Sequence, residues 1–415
     1  MKMKRFIIVL TCIFILIGGF MIYPHMKYRN KNQYELSSIK TENNNEIPNS
    51  KITKDYISYS DMMVQNLSEK QKNKIIEKAN KILNIKSIPT VINKTNLIVS
   101  GETKNDYISM APYLWENSKN PNKYIVKDGV DNPERLNNNT FDSVRLNKFI
   151  MYLDKLSIAY KLTGDTKYSN VASKLLKVWF IDPSTKMNPN MKYAEIFKTK
   201  SGKVIFTGSS MISSVPLINV VNDLNLLGNS INSSESYKLK SWFNKFSNWL
   251  LDANGGNIDK LRINNHGTWL DAELATFYDY AGNRKMAIDI LKTVGPDAIN
   301  PQIQSSGKIP SALVRTKSLD YTEYNLEAFI TLANLGQKYG LNIWDYKSEN
   351  GGSIKKALNY VTNYLAGKTK WNYKNISGKN INETGNKKFI TYLKLANMYY
   401  KNKQYSKVIE KYNSI

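Results

Sequence analysis

What most restricts the fold of this chain is a succession of segments from Phe141 onward, in which apolar residues recur at helical spacing and each run ends at a Gly, Asn or Pro stop. "DSVRLNKFIMYLDKLSIAYKLTG", "KYSNVASKLLKVWF", "MISSVPLINVVNDLNLLG", "SSESYKLKSWFNKFSNWLLDANGG", "RKMAIDILKTVG", "YTEYNLEAFITLANLGQKYG" and "SIKKALNYVTNYLAG" all read this way. Strand-like alternation is scarce, so the fold is predicted to be mainly α. Three stretches echo one another: "LSIAYKLTGDTKYSNVA" from Leu156, "LATFYDYAGNRKMAI" from Leu274 and "LANMYYKNKQYSKVI" from Leu395. Each sets a Tyr four residues after a Leu on one helix face and then turns into a second helix, the pattern of an αα-hairpin. A tandem array of the tetratricopeptide type would need a fixed period of about 34 residues. These units begin 118 and 121 residues apart, so the hairpins are expected to close into an (α/α) toroid or incomplete barrel.

Ahead of the helices, "MKMKR" and the 18-residue apolar run Phe6 to Tyr23 read as a signal peptide or signal-anchor helix over 1–26. No A-x-A-like cleavage site follows, so cleavage and anchoring both stay open, while an exported, extracellular or cell-surface location is expected either way. Residues 27–55, including "TENNNEIPNS", are polar and aperiodic and are expected to be a disordered linker. A folded body over 56–370 and a helical hairpin extension over 371–415 complete the expected organisation. Cys12, the only cysteine, lies inside the apolar run, so the body has no thiol for a disulfide or a thiolate metal site.

The 59 Lys and Arg against 34 Asp and Glu give +25, and setting aside Lys2, Lys4, Arg5, Lys27 and Arg29 leaves +20 on the body. Such an excess suits a polyanion: nucleic acid, an anionic surface or an acidic polysaccharide. It is also what a Lys/Asn-rich composition from an AT-rich genome would produce. Export favours polysaccharide over nucleic acid and leaves membrane contact to the N-terminal segment.

Within this chain His25 and His266 are the only histidines, and His266 sits in "RINNHGTWLD". Two amides, an imidazole and a glycine between apolar helices cost helix propensity, which suggests a loop or helix start facing a cavity. An equally physical reading makes Asn264 or Asn265 a cap for the helix beginning at Thr268 and His266 a surface residue.

"NNHGTW", Asn264 to Trp269, resembles the central motif of the alginate lyase family, α/α-toroid polysaccharide lyases acting on mannuronate-rich alginate. Further stretches follow in the family's order. "NDYISMAPYLWENSKNPNKYIVKDGVDNPE" (Asn105 to Glu134) is similar to its Y-x-S-x-A-P-Y-x-W segment and the following "DG…NPE". "VWFIDPSTKMNPNMKYAE" (Val178 to Glu195) resembles its W-F-x-D-P-x-T-x-M-N-P-N-x-x-Y-A segment, and "RTKSLDYTEYNLEAF" (Arg315 to Phe329) its R-x-x-S-L-x-Y…N-L-E-A segment. Together they span roughly Asp106 to Tyr346. The resemblance implies a catalytic Asn265 and His266 pair, a tyrosine at Tyr321 and an arginine at Arg315, with Lys317 nearby. "YTEY" stands where alginate-specific members commonly have His and Asn, which leaves the substrate open.

The chemistry implied by the resemblance is β-elimination from a 4-linked uronate. Removing a C5 proton α to an ionised carboxylate needs donors such as the Asn265 amide, His266 and Arg315 to disperse the developing charge. A cation beside Tyr321 would favour its phenolate as base, and its phenol would protonate the leaving oxygen. Tyr113, Trp115 and Trp269 are candidates to stack on sugar rings, and Asn188, Asn190 and Tyr193 to hydrogen-bond hydroxyls. Lys104, Lys192, Lys198 and Lys203 are candidates for distal carboxylates.

No transition metal is expected, because the body has one histidine and no cysteine. No organic cofactor is expected either, "SSGKIPS" lacks the first glycine of a phosphate loop, and the absence of G-x-S-x-G speaks against a serine-nucleophile hydrolase. Two other classes stay open: a non-catalytic binding or scaffolding component of an exopolysaccharide export machinery, and a hydrolase using two of Asp271, Glu273, Glu323 and Glu327.

Overall fold

The computed structural model describes residues 56–377 and 384–413. The predicted leader and linker lie outside the described residues. With 59% helix and 6% strand, the protein is mainly α as expected.

Local chemistry sets the helix ends. The hydroxyl of Ser58 accepts from the Asp61 N–H to start α1 (Tyr59–Gln65), and Ser68 and Gln71 form a capping box on α2 (Glu69–Ile82). Gly164, at φ +70°, ends α3 (Ser143–Thr163), and Asp165 caps α4 (Thr166–Leu176). After α5 (Ser210–Ser214), α6 (Leu217–Leu227), α7 (Ser233–Gly255) and α8 (Ile258–Leu261), a second hairpin joins α9 (Asn265–Ala281) to α10 (Arg284–Thr293) through Gly282 and Asn283. Two short helices, α11 (Asn300–Gln302) and α12 (Pro310–Leu313), lead to α13 (Ser318–Lys338) and α14 (Ile354–Leu365). The third hairpin is α15 (Thr384–Tyr400) with α16 (Lys403–Asn413). All three echoing stretches are helix pairs.

The hairpins form an α/α toroid. α3, α6, α9 and α13 pack each on the next, with α2 and α4 against α3, α7 and α10 against α9, and α14 and α15 against α13. Aromatic rings fill the space between helices: Phe149 on Trp179 at 4.8 Å, Phe180 on Trp242 at 4.7 Å, and Trp242 on Phe246 at 5.1 Å between ring centres.

The structure departs from the sequence reading in three places. "MISSVPLINVV" is two helices, because Pro216 offers no N–H to continue the first one. "KTVG" does not stop the chain's winding. It runs on as a widened π turn over Val294–Ile299, where Gly295 leaves room for the Tyr346 ring, which a Cβ would approach to 2.5 Å. The third departure is a set of short strands in or just after two of the family-like segments: β1 (Ile108–Met110), β2 (Leu114–Glu116), β3 (Tyr124–Val126), β4 (Tyr193–Lys198) and β5 (Val204–Phe206). β4 pairs parallel with β1 and antiparallel with β5, and β2 with β3 forms a hairpin. Most are three residues long, too short for alternation to show. Buried Asp142, beside the start of α3, accepts from the Ile108 N–H at 3.0 Å and pairs with Lys94 at 3.1 Å and Arg145 at 2.6 Å, which ties β1 to the helices.

Candidate active site

"NNHG" is a helix start, as one reading of the sequence had it, and is capped by an asparagine, as the other had it, but α9 begins at Asn265 rather than Thr268 and His266 is only partly exposed. Asn264 caps α9, its side-chain oxygen accepting the His266 N–H at 2.8 Å. That places Asn265 and His266 in the first turn of the helix. Gly267 is required by close approach: a Cβ there would lie 2.3 Å from the backbone nitrogen of Arg262. Arg262 turns inward onto Asp271, with Nε to Oδ2 at 2.9 Å and Nη2 to Oδ1 at 2.8 Å, and its carbonyl accepts from Gln302 Nε2 at 2.7 Å. Gln302 also holds Thr268 Oγ1 and accepts from Asn325 of α13, so the start of α9 is fixed to the neighbouring helix. The Asn265 amide and the His266 imidazole make no side-chain hydrogen bond among the described residues. His266 keeps some solvent access yet is surrounded by protein, and this burial, with the Arg315 charge adding to it, pushes its pKa down to about 4. The imidazole is therefore neutral at pH 7.

Arg315 and Tyr321 are held by a third residue to which the sequence reading gave no role, Asp128 of "KDGVDNPE". Its carboxylate accepts Arg315 Nε at 3.1 Å and the Thr316 N–H at 2.9 Å, and also bonds Arg315 Nη2. Burial pushes the Asp128 carboxyl up, but the Arg315 and Thr316 hydrogen bonds outweigh it and hold it below its ordinary value. Gly129, at φ +74°, makes this possible, since a Cβ would meet Thr316 Oγ1 at 2.5 Å. Arg315 Nη2 donates to the Tyr321 hydroxyl at 2.6 Å, and the guanidinium carbon lies 3.7 Å from the centre of that ring. The Tyr321 hydroxyl in turn donates to that of Tyr113 at 3.2 Å. Contrary to the expectation from a neighbouring cation, burial raises the pKa of Tyr321 well above the ordinary phenol value, and Arg315 only partly opposes it. The resting residue is a phenol.

The structure thus gathers Tyr113, Arg315, Tyr321 and the α9 start, and it relocates the other candidates. Trp269 is 1% exposed and packs on Tyr324 at 4.9 Å, so its ring offers no face to a sugar. Trp115 is pinned through Nε1 to the Val130 carbonyl, with Lys127 Nζ 3.9 Å over its ring. Asn188 donates to Asp106 at 2.8 Å, Asn190 accepts the Lys192 N–H, and Tyr193 is buried in a second small core with Phe197. These three build the loop into β4. Lys104, Lys192, Lys198 and Lys203 are exposed. The four carboxyls considered for hydrolysis are buried between helices: Asp271 pairs with Arg262, Glu273 takes the Ser214 hydroxyl, Glu327 pairs with Lys388, and Glu323 is 2% exposed. Among the described residues no group of three His, Cys, Asp or Glu is placed to hold a metal.

A family model described as alginate lyase matches residues 90–371. Among solved structures, an alginate lyase from Bacteroides ovatus is similar with a TM-score of 0.76 and 27% identity, covering 86% of this chain and 94% of that one. Alginate lyase A1-III from Sphingomonas species A1 is similar more loosely, at 15% identity and a TM-score of 0.44, over 70% of this chain and 76% of that one. No curated protein sequence matches the chain.

Proposed function

The chain belongs to the alginate lyase family, and on that premise we propose that it cleaves an acidic uronate polysaccharide, polymannuronate first, by β-elimination. The observation that carries the reading is the hydrogen-bonded run Arg315, Tyr321, Tyr113, in which a guanidinium 2.6 Å from a phenol oxygen lies near enough to His266 for its charge to act on that neutral imidazole. The similar Bacteroides ovatus protein is an alginate lyase.

In this reading the Asn265 amide, an N–H of neutral His266 and the Arg315 guanidinium donate to the sugar carboxylate and take up the charge that develops there. Tyr321, as the phenolate that Arg315 stabilises, removes the C5 proton. The C5–H electron pair becomes the C4–C5 double bond, the C4–O4 bond breaks, and the new phenol returns its proton to O4. No water enters the products, and the phenolate is regenerated. The buried placement of Asp271, Glu273, Glu323 and Glu327 favours elimination over carboxylate-dependent hydrolysis, which needs two carboxyls flanking an accessible bond.

Incubation of the protein with polymannuronate, polyguluronate, glucuronan and pectate tests this. The expected outcome is ultraviolet absorbance of an unsaturated uronate, strongest with polymannuronate. New reducing ends without that absorbance would indicate a hydrolase, and neither signal a binding or scaffolding protein of an export machinery. Export and surface attachment are proposed from the N-terminal 26 residues alone and are checked by cell fractionation. Among the described residues no helix is long and apolar enough to cross a membrane.

A further inference from the structure

One side chain outside the residues assigned so far is set apart by its backbone. Glu195, inside β4, has φ +52°, in the left-handed region that side chains other than glycine rarely enter. Among the described residues only Lys401 shares it, and Lys401 directly follows α15, where helix ends adopt this conformation. At Glu195 the setting is a bulge: Ile108 pairs with Tyr193 and Met110 with Ile196, so the extra residue of β4 falls here, and bulges beside functional sites re-aim a side chain. The conformation is held from both sides: the Glu195 N–H donates to Ser109 Oγ at 3.0 Å, and its carbonyl accepts Thr207 Oγ1 at 2.9 Å. Ser109 is itself hydrogen-bonded to Ser213 at 3.1 Å. Backbone strain fixed by independent contacts is characteristic of positions that aim a side chain for a purpose.

The carboxyl so aimed has no hydrogen bond and no ion pair among the described residues, although protein surrounds it and it keeps only partial solvent access. The Glu195 N–H bonds Ser109 of β1, and the Tyr113 hydroxyl four residues on bonds that of Tyr321, so β1 joins Glu195 to the region of the candidate catalytic tyrosine, and Tyr324, one helical turn beyond Tyr321, feels both. β1, which pairs with β4, leads within three residues to Tyr113. We propose that Glu195 is a substrate-contacting residue whose carboxyl donates a hydrogen bond to the carboxylate of a uronate bound beside Tyr321. This rests on the uronate reading of the site.

The electrostatics fit that role. Burial pushes the Glu195 pKa up to about 8, and Arg135 pulls it down only in part. Of the other groups facing it, Tyr107, just before β1, and Tyr324 are both phenols at neutral pH, and β1, β5 and α5 contribute no titratable side chain. At neutral pH Glu195 is a neutral donor, and once ionised it repels a uronate.

The test measures binding of a short polymannuronate oligomer in a Tyr321→Phe background, where turnover does not interfere, at pH 6 and pH 9. One pH unit above a pKa of about 8, roughly a tenth of the carboxyls remain protonated, so affinity is expected to fall about tenfold between the two pH values. Adding Glu195→Gln, which donates at every pH, should abolish that fall. Adding Glu195→Ala should weaken binding at pH 6 and remove the pH dependence. The same fall with and without Glu195→Gln overturns the inference, as does affinity that is constant from pH 6 to 9 with Glu195 present. If neither the wild-type protein nor Tyr321→Phe binds any uronate polymer, the functional reading itself falls and takes this inference with it.

Discussion

At Tyr321 burial and charge act in opposite directions on one proton. Burial prevails, so the phenolate is a minor species at neutral pH although a guanidinium touches it. If this phenolate is the base, kcat rises with pH by up to tenfold per unit between about pH 6 and 9, because the ionised fraction grows in that proportion below the pKa. A kcat that stays level above pH 5 would move the base to His266, whose free form is already complete there. Tyr321→Phe removes one oxygen and is expected to lower kcat by about 10² or more while oligomer affinity changes little. Near-normal turnover in that variant would remove Tyr321 from the mechanism. His266, Asn265, Arg315 and Tyr321 were proposed through the family-like motifs in which they stand, not from spacing, which would as readily make Tyr321 one core tyrosine among 27. The sequence misled at Trp269 because three residues on from His266 is the same helix face one turn deeper, beneath the site and against Tyr324. Asp128 and Glu195 were not legible, because their roles come from contacts with residues far along the chain.

Between α8 and α9 the chain turns so tightly that backbone lies on backbone at Gly267. Gly267→Ala would push the first turn of α9 off Arg262 and strain the Arg262–Asp271 pair. A loss of about 2–3 kcal/mol is expected, read as a lower midpoint in denaturant melts, together with weaker turnover. An unchanged midpoint would mean that the junction yields, and the site geometry with it. The long helices were legible from their apolar period and their caps, as Gly164 and Asp165 illustrate. The strands were not, because three-residue pairings such as β2 with β3 are made by hydrogen bonds to a partner and carry little signal of their own. The π turn at Val294–Ile299 hides for a related reason: Gly295 reads as a stop until Tyr346, distant in sequence, is seen against it.

Across the whole molecule, +25 formal charge sets the conditions under which a polyanion is held. Raising salt from about 0.05 to 0.5 M shortens the screening length severalfold, so the KM for polymer should rise more than the KM for a short oligomer that meets fewer lysines. Equal sensitivity would argue that the charge excess is compositional. How the last hairpin is placed was beyond the sequence, which shows two helices but not what they cover. In the structure Tyr392 of α15 meets Tyr59 of α1 at 4.9 Å, and Lys388 reaches Glu327 of α13 at 2.8 Å. The first helix of the described body thus packs on α3 and α6 and, through Tyr59, also on α15, far along the chain. While the protein is being synthesised, α1 can settle on α3 and α6, but the Tyr59 ring and Glu327 gain Tyr392 and Lys388 only once α15 has followed. Contacts such as Tyr59 with Tyr392 join residues distant along the chain, so they close after the local hairpins have formed.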